Sequence, residues 1–171
     1  MSTPPETTSA EAHIREVFRR IFDERDLSDP SAFWSEASHD EFLAAGLTVR
    51  GAEALAGFFG GLFAAVPDWR LEIENVVDDG TGQLVVQWTG TGTFTGAPFL
   101  GIEATGRSLT IRGVDVIRLD AEGRIDTNTI YYDGAEFARQ VGLLPGRDSL
   151  ADRWMMSLFN NATKLRRAVK R

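Results

Sequence analysis

Asp115 lies in the middle of an otherwise apolar strand face. The other residues that alternate along segment 109–119 on this face are apolar or glycine, namely Leu109, Ile111, Gly113, Ile117 and Leu119. A carboxylate that faces a core is costly unless it is paired, hydrogen-bonded or protonated, and burial raises its pKa. Such a group can serve as a general acid or as a neutral hydrogen-bond donor. The structural alternative is a carboxylate satisfied by backbone amides or by a buried arginine.

A second carboxylate, Asp133, follows the next strand. Alternation over segment 125–133 places Ile125, Thr129, Tyr131 and Asp133 on one face. If this face is the inner one, Asp115 and Asp133 line one cavity as an acid and a base, and Tyr131 orients a substrate oxygen. Two alternatives stay open. Asp133 is also a good N-cap for a helix that begins at Gly134, and Tyr131 can be a core tyrosine with a satisfied hydroxyl.

Seventeen aromatic residues, 11 Phe, 4 Trp and 2 Tyr, make up a tenth of the chain. A minority that lined a cavity would suit a flat apolar, polycyclic or aromatic ligand, and core packing is the alternative for each. We expect the following substrate-binding residues: Phe18, Phe22, Trp34, Trp88 and Phe94, with the polar Thr129 and His39. A histidine such as His39 is more often a surface residue near a helix end than a base.

The composition excludes several classes of chemistry. The 171 residues include no cysteine and two histidines, so thiol catalysis and a histidine-rich metal site are excluded. Eighteen basic against 25 acidic side chains give a net charge of −7, opposite in sign to that of a typical nucleic-acid binder. No secretory signal and no apolar run of membrane-spanning length is visible. We therefore expect a soluble cytoplasmic protein with no bound metal, no cofactor and no nucleic-acid or membrane partner.

Helices precede strands along the chain. Apolar residues recur at three- and four-residue spacing from Ser9 to Phe22, which predicts a helix with Ser9 as its N-cap. A short helix from Asp29-Pro30 would carry Phe33 and Trp34, and segment 40–49 reads as a strand or an extended segment. A third helix is predicted over 51–66. The period then changes to two residues, with strands over 69–75, 84–94, 109–119 and 125–133 and a closing helix over 135–141. This order predicts the α+β class, with helices covering one face of a curved sheet.

The two ends differ in composition from the middle. Residues 1–8 are polar and proline-containing, and we expect them to be flexible. Pro145-Gly146 marks a boundary before a tail helix over 148–169, capped by Asp148 or Ser149. The domain is therefore predicted over 9–145, with a helical extension over 146–171 that packs on the domain or on a second copy. Basic residues end this helix, where they complement its dipole; an acidic partner is the alternative.

Five short segments in order resemble the SnoaL-like polyketide cyclase family. Residues 63–68 (FAAVPD) resemble its helix-ending Phe-Pro-Asp segment, and residues 87–96 (QWTGTGTFTG) resemble its Trp…Gly-Thr-His-Thr-Gly segment. Residues 105–107 (TGR) match its Thr-Gly-Arg turn. The last two matches are residues 123–125 (GRI) followed by Asp133, and residues 140–145 (QVGLLP). The similarity spans about residues 10–145.

This resemblance implies the nuclear transport factor 2-like fold, an α+β cone around a deep pocket, commonly in a homodimer. The family aspartate that serves as acid/base in intramolecular aldol ring closure matches Asp133. Three family positions differ, because Phe94 and alanine at 44 or 45 replace histidines and Thr129 replaces a tryptophan. The Arg-x-Asp pair of the related epoxide hydrolases is missing from strand 84–94, which argues against plain epoxide hydrolysis.

These observations predict a small biosynthetic enzyme. We expect a cofactor-independent cyclase or isomerase that acts on a polyketide-like apolar cyclic substrate, with Asp133 moving the proton and Asp115 or Tyr131 stabilising the developing enolate or alkoxide. Two alternatives remain. One is a non-catalytic small-molecule-binding or scaffolding protein of the same fold. The other is a pyran-forming or epoxide-opening enzyme, which two facing carboxylates would favour.

Overall fold

The computed structural model of the protein describes residues 10–169. The predicted flexible segment 1–8 and the predicted cap Ser9 lie outside these residues. Helix α1 spans Ala10–Phe18 and continues as a π-helical turn over Arg19–Asp23. Helix α2 spans Ala52–Ala65, α3 spans Gly134–Val141 and α4 spans Leu150–Val169. Across this part of the chain, no helix is both long and apolar enough to cross a bilayer.

Six strands form one mixed sheet, whose order along the sheet is β2-β1-β6-β5-β4-β3. The strands are β1 (Trp34–Phe42), β2 (Leu47–Arg50), β3 (Arg70–Asp78), β4 (Gln83–Thr93), β5 (Ser108–Leu119) and β6 (Ile125–Tyr132). Only the β1–β6 pair is parallel among the pairs of this sheet. The sheet does not close, because β2 and β3 are its free edges. The predicted α+β fold with a curved mixed sheet and an extra C-terminal helix is confirmed.

The core lies between α1, α2 and the concave face of the sheet. Helix α2 is apolar along almost its whole length and buries Leu55, Phe59 and Phe63. The apolar stripe of α1 and its π-helical turn packs beside it, and Phe22 meets the edge of Phe59 with ring centroids 5.4 Å apart. Aromatic rings therefore pack against each other where the two helices meet the sheet, and they leave room for a cavity beneath.

The region around Trp34 differs from the prediction. The expected short helix is a single 3₁₀ turn over Pro30–Ala32, and β1 begins at Trp34 rather than near Asp40. Between Trp34 and His39, β1 bulges away from β6, and the Ser38 hydroxyl accepts a hydrogen bond from the Ser35 backbone amide at 2.8 Å. The bulge breaks the two-residue alternation on which strand prediction depends, so this half of β1 could not be recognised.

Strand β6 also has an irregular register, and it changes which side chains face inward. Arg118 pairs with Thr127 while the next residue, Leu119, pairs with Ile125, so Asp126 is an extra residue in β6. Ile125 is therefore buried, but after the bulge the buried residues are Asn128 and Ile130. The prediction that Thr129, Tyr131 and Asp133 continue the inner face of Ile125 is wrong for this reason.

Candidate active site

The cone encloses an aromatic cavity. Its empty space is about 950 Å³, a volume that includes the open mouth and the solvent in it. The walls are apolar and aromatic, and the ten aromatic side chains among the described lining residues are Phe22, Phe42, Phe58, Phe59, Trp69, Trp88, Phe94, Phe99, Tyr132 and Phe137. Such walls complement a flat apolar ligand and exclude water from whatever polar group faces the cavity.

Two tryptophans lie flat against the sheet because glycines make room for them. The Trp88 ring on β4 covers Gly113 of β5, and a Cβ at that glycine would overlap the ring. The Trp69 ring, just before β3, covers Gly90 of β4 in the same way. These glycines are needed for close approach rather than for an unusual backbone angle. Together they set the depth of the cavity floor.

Asp115 is the carboxylate that lines this cavity. It projects from the inner face of β5 and is 6% exposed. Trp88 Nε1 donates to Asp115 Oδ1 at 2.7 Å, and Asn128 Nδ2 donates to Asp115 Oδ2 at 3.1 Å. Burial raises the pKa of Asp115 to about 6, and these two hydrogen bonds oppose the rise. Asp115 thus holds a fixed orientation and a pKa that lets it both take and give a proton near neutrality.

A second buried carboxylate, Asp40, stands behind Asp115. Asp40 on β1 is the register partner of Asn128 on β6, and it is 1% exposed. Burial and the nearby charge of Asp115 raise the pKa of Asp40, and the Asn128 side chain opposes the rise. Sequence reasoning missed Asp40 because segment 40–49 was predicted as a strand or an extended segment with no inner face assigned to it. The available signal was the position of Asp40 beside His39, within the segment read as extended.

Asp133 lies away from the cavity. Its side chain is largely exposed and accepts a hydrogen bond from the Glu136 backbone amide at 2.9 Å, which makes it the N-cap of α3. Arg147 approaches it to 3.7 Å. Tyr131, the predicted catalytic tyrosine, is exposed on the outer face of β6, while its neighbour Tyr132 lines the cavity. The structure therefore does not bring Asp133 and Tyr131 together with Asp115 in one cavity.

The predicted substrate-binding residues divide into two groups. Trp88, Phe94 and Phe22 line the cavity. Phe18 and Trp34 are buried in the core outside it; the Trp34 ring stacks on Phe59 at a centroid distance of 5.7 Å. Their aromatic character was recognised from the sequence, but their depth in the core was not.

The two polar candidates are half-buried and do not line the cavity. His39 on β1 pairs with Thr127 and Arg50, and Thr129 lies on the outer side of β6 next to Tyr131. Within residues 10–169, no group of three His, Asp or Glu side chains is arranged to hold a metal ion. Among the described lining residues, polar atoms are carried by the side chains of Asp115, Tyr132, Trp69 and Trp88.

The family model for SnoaL-like polyketide cyclases matches residues 12–141. The chain belongs to the SnoaL-like polyketide cyclase family. The match includes all six strands and helices α1, α2 and α3, except for the first two residues of α1. No protein of curated function matches this SnoaL-like chain significantly.

Solved structures share the fold of this SnoaL-like protein at low sequence identity. A candidate SnoaL-like polyketide cyclase from Jannaschia sp. CCS1 is 22% identical, with a TM-score of 0.67 over 85% of this chain and 99% of that one. TsrD from Streptomyces laurentii is 23% identical, with a TM-score of 0.67 over 80% and 97%. AclR from Streptomyces galilaeus, a candidate hydroxylase, is 19% identical, with a TM-score of 0.68 over 96% of both chains. At these identities the likeness shows the fold.

Proposed function

We propose that this SnoaL-like protein is a cofactor-independent cyclase or isomerase, and that it acts on a polyketide-like apolar cyclic substrate by acid–base catalysis at Asp115. One observation carries the proposal: among the described lining residues, Asp115 is the carboxylate in an otherwise apolar and aromatic cavity, oriented by side chains from two other strands. A purely structural carboxylate would be expected to bond to backbone amides. Asp115 bonds instead to Trp88 and Asn128.

The chemistry follows from the protonation state of Asp115. With its pKa raised to about 6, Asp115 is mostly a carboxylate at pH 7, yet it is a stronger base than an exposed aspartate. It can remove a proton from a carbon next to a carbonyl group and return that proton to the product. The hydrogen bonds from Trp88 and Asn128 hold the carboxylate in place while this happens. No cofactor enters these steps.

Tyr132 takes the role that the sequence analysis assigned to Tyr131. It is half-buried at the cavity wall, and its ring meets the edge of Phe137 at a centroid distance of 6.2 Å. Burial raises the pKa of Tyr132, so its hydroxyl stays neutral and can donate a hydrogen bond to the oxygen of a developing enolate. Tyr132→Phe should therefore slow proton abstraction while leaving the aromatic wall in place.

Deuterium exchange tests proton abstraction without knowledge of the final product. Aromatic β-keto esters with an acidic C–H are incubated with the enzyme in D₂O and followed by NMR. We expect the wild type to accelerate exchange. In Asp115→Asn the exchange rate should fall by roughly 10²–10⁴-fold, the usual contribution of a general base. Asp133→Asn is the matched control, since asparagine also caps helices well.

Comparison of Asp115→Asn with Asp133→Asn shows which aspartate is the acid/base. The family resemblance assigns the acid/base role to Asp133, so loss of exchange in Asp133→Asn with full exchange in Asp115→Asn would overturn our assignment. Ligand binding without exchange by the wild type, for every ester tried, would favour the non-catalytic binding protein. The second measurement is mass spectrometry of a molecule that co-purifies with the protein, which identifies the substrate class directly.

A hydroxylase is the second candidate function. The observation that favours it is the match to AclR, which extends over 96% of both chains, whereas the Jannaschia match covers 85% of this chain. Product mass separates the two functions. Cyclisation or isomerisation adds no oxygen, whereas hydroxylation adds one oxygen atom, and ¹⁸O₂ labelling would show whether it comes from dioxygen.

We also propose that the protein is a homodimer and that α4 packs against the second copy. Large apolar side chains are exposed along α4, with Leu150, Trp154, Phe159 and Leu165 each more than 60% exposed. Removal of residues 147–171 should therefore turn a dimer into a monomer by light scattering, and the stability of the shortened chain should no longer depend on protein concentration. A full-length chain that is monomeric at every concentration would contradict the dimer.

A further inference from the structure

Three buried polar side chains meet where β1, β6 and β5 run side by side. Asp40 and Asn128 are register partners in the parallel β1–β6 pair, and Asp115 lies on β5, the next strand across. All three are less than 7% exposed. The Asn128 side chain donates a hydrogen bond to Asp115, and its hydrogen bonding to Asp40 lowers the pKa of that group. This amide therefore links the two carboxyl groups. We call these three residues the acid cluster.

The acid cluster has too few hydrogen-bond donors if both carboxyl groups are ionised. Its acceptors are the four carboxyl oxygens and the Asn128 amide oxygen, while its donors are the Trp88 indole N–H and the two N–H groups of Asn128. Both oxygens of Asp115 are bonded. Asp40 Oδ1 and Asn128 Oδ1 are buried and have no donor. Native proteins rarely leave buried acceptors in this state.

One additional proton would relieve both the shortage of donors and the repulsion between the two carboxylates. It adds a fourth donor to the acid cluster, and it removes one of two like charges that burial would otherwise hold close together. The position of the proton follows from the contacts. Two N–H groups point at Asp115 and favour its ionised form, whereas Asp40 has an unbonded oxygen and a register partner on β2, Val49, that is apolar.

We propose that Asp40 is a neutral carboxylic acid and holds the single proton of the acid cluster. It acts through Asn128 as a positioning residue for Asp115. Asp40 does not line the cavity, so it does not touch the substrate. Its neutral carboxyl group orients the Asn128 amide and keeps Asp115 as the ionised member of the pair. Only the catalytic importance of Asp40 rests on the proposed function; its protonation state does not.

The charges around Asp40 allow a clean test of this proposal. Among the described residues, Asp115 is the charged group that raises the pKa of Asp40. On β1 itself, His39 and Glu41 flank Asp40 and project to the opposite face of the strand, as alternation requires. The protonation of Asp40 is thus coupled to that of Asp115 and can be followed through it.

The Trp88 indole reports on Asp115 without any substrate. The ¹H–¹⁵N signal of Trp88, one of four tryptophans, is assigned by its loss in Trp88→Phe and followed from pH 4 to pH 9. In the wild type we expect one midpoint near 6, the pKa of Asp115. Asp40→Asn replaces a neutral acid by a neutral amide of the same shape, so the midpoint should move by less than about 0.5 pH units.

An ionised Asp40 predicts a different result. Removing a negative charge that close to Asp115 would lower the midpoint by about one pH unit or more, and that shift would overturn the proposal. If Asp40→Asn does not fold, the wild type still decides the question. With ¹³Cγ-labelled aspartate, one carboxyl signal should keep the chemical shift of a protonated acid at pH 7, and ionised shifts for every aspartate would also overturn the proposal.

The catalytic part is tested separately by the pH profile of deuterium exchange. Asp40→Ala removes the group that orients Asn128, so we expect lower exchange with an altered apparent pKa, and Asp40→Asn should restore the apparent pKa. An unaltered profile in Asp40→Ala would refute the positioning role. Full exchange in Asp115→Asn would instead refute the proposed function and leave the NMR result on Asp40 standing.

Discussion

The cone and helix α4 contain similar side chains in opposite surroundings. Phe59 of α2 is 8% exposed, whereas Phe159 of α4 is 65% exposed. Helix α2 is apolar on nearly every side and is covered by α1 and the sheet. Helix α4 alternates apolar with polar and basic residues, and its large apolar side chains between Leu150 and Leu165 lie open in the single chain. An apolar residue stabilises a fold only when a second surface covers it, so the stability of this protein lies in the cone.

Matched phenylalanine substitutions give the largest expected contrast between the two regions. Phe59→Ala removes a buried ring that stacks on Trp34 and meets the edge of Phe22. We expect the free energy of unfolding to fall by about 3–5 kcal/mol, as for other buried aromatics. Phe159→Ala should change it by no more than about 0.5 kcal/mol in the monomer. Urea denaturation of both variants measures the difference, and equal losses would show that α4 is part of the cooperative core.

The pH dependence of stability should also come from the cone. The pKa of Asp115 is raised to about 6 on folding, so between pH 4 and pH 6 the folded state binds more protons than the unfolded state. Unfolding free energy should therefore fall as the pH rises through this window, by at most about 3 kcal/mol for a two-unit shift. The raised pKa of Asp40 acts in the same direction and extends the fall to higher pH.

Asparagine variants of Asp115, inside the cone, and of Asp133, outside the cavity, test whether the pH dependence of stability comes from the cone. Asp115→Asn should make the fall in stability between pH 4 and pH 6 shallower, because one of the two titrating groups has gone and the contribution of Asp40 remains. Asp133→Asn, at the exposed junction between cone and tail, should leave it unchanged. A fall in Asp115→Asn as steep as that of the wild type would mean that Asp115 does not contribute to the pH dependence of stability.

The smallest expected effect is that of adding one methyl group. Gly113→Ala would push a Cβ into the Trp88 ring, and overpacking of this kind costs about 1–3 kcal/mol. It should also weaken the Trp88–Asp115 hydrogen bond and so shift the Trp88 indole signal. Gly146→Ala, before α4, meets no atom within 4 Å and should change stability by less than about 0.5 kcal/mol. An unshifted indole in Gly113→Ala would show that the ring moves without disturbing Asp115.

Regular alternation let the sequence predict most of the fold. The apolar repeat in α1 and α2, the change of period after Pro67 and the strands around Trp88 and Asp115 all have the predicted character. The inward position of Asp115 follows from five apolar or glycine neighbours on its face, and this prediction is confirmed by its burial. Local pattern was sufficient wherever a strand kept its two-residue period.

Two bulges account for the failure to predict that Asp40 and Tyr132 lie at the site. The bulge in β1 concealed the first half of the strand that carries Asp40, and the extra residue Asp126 in β6 exchanged the faces of Tyr131 and Tyr132. Neither bulge has a distinct residue pattern, because each depends on pairing between strands that are distant in sequence. The motif that includes Asp133 helped to identify the family correctly. The position of a residue in a motif does not, however, determine whether its side chain faces the cavity.

The parallel pairing of β1 with β6 has a consequence for how the chain folds. Asp40 and Asn128 come from opposite ends of the domain sequence, so they meet only after the intervening helix and strands are in place. Contacts of such long sequence separation form slowly and late. Until then both aspartates are hydrated and ionised, and their pKa values rise only when the first and last strands close over them. The final step of folding therefore takes up protons from the solvent, and refolding in a weakly buffered solution should make it more alkaline.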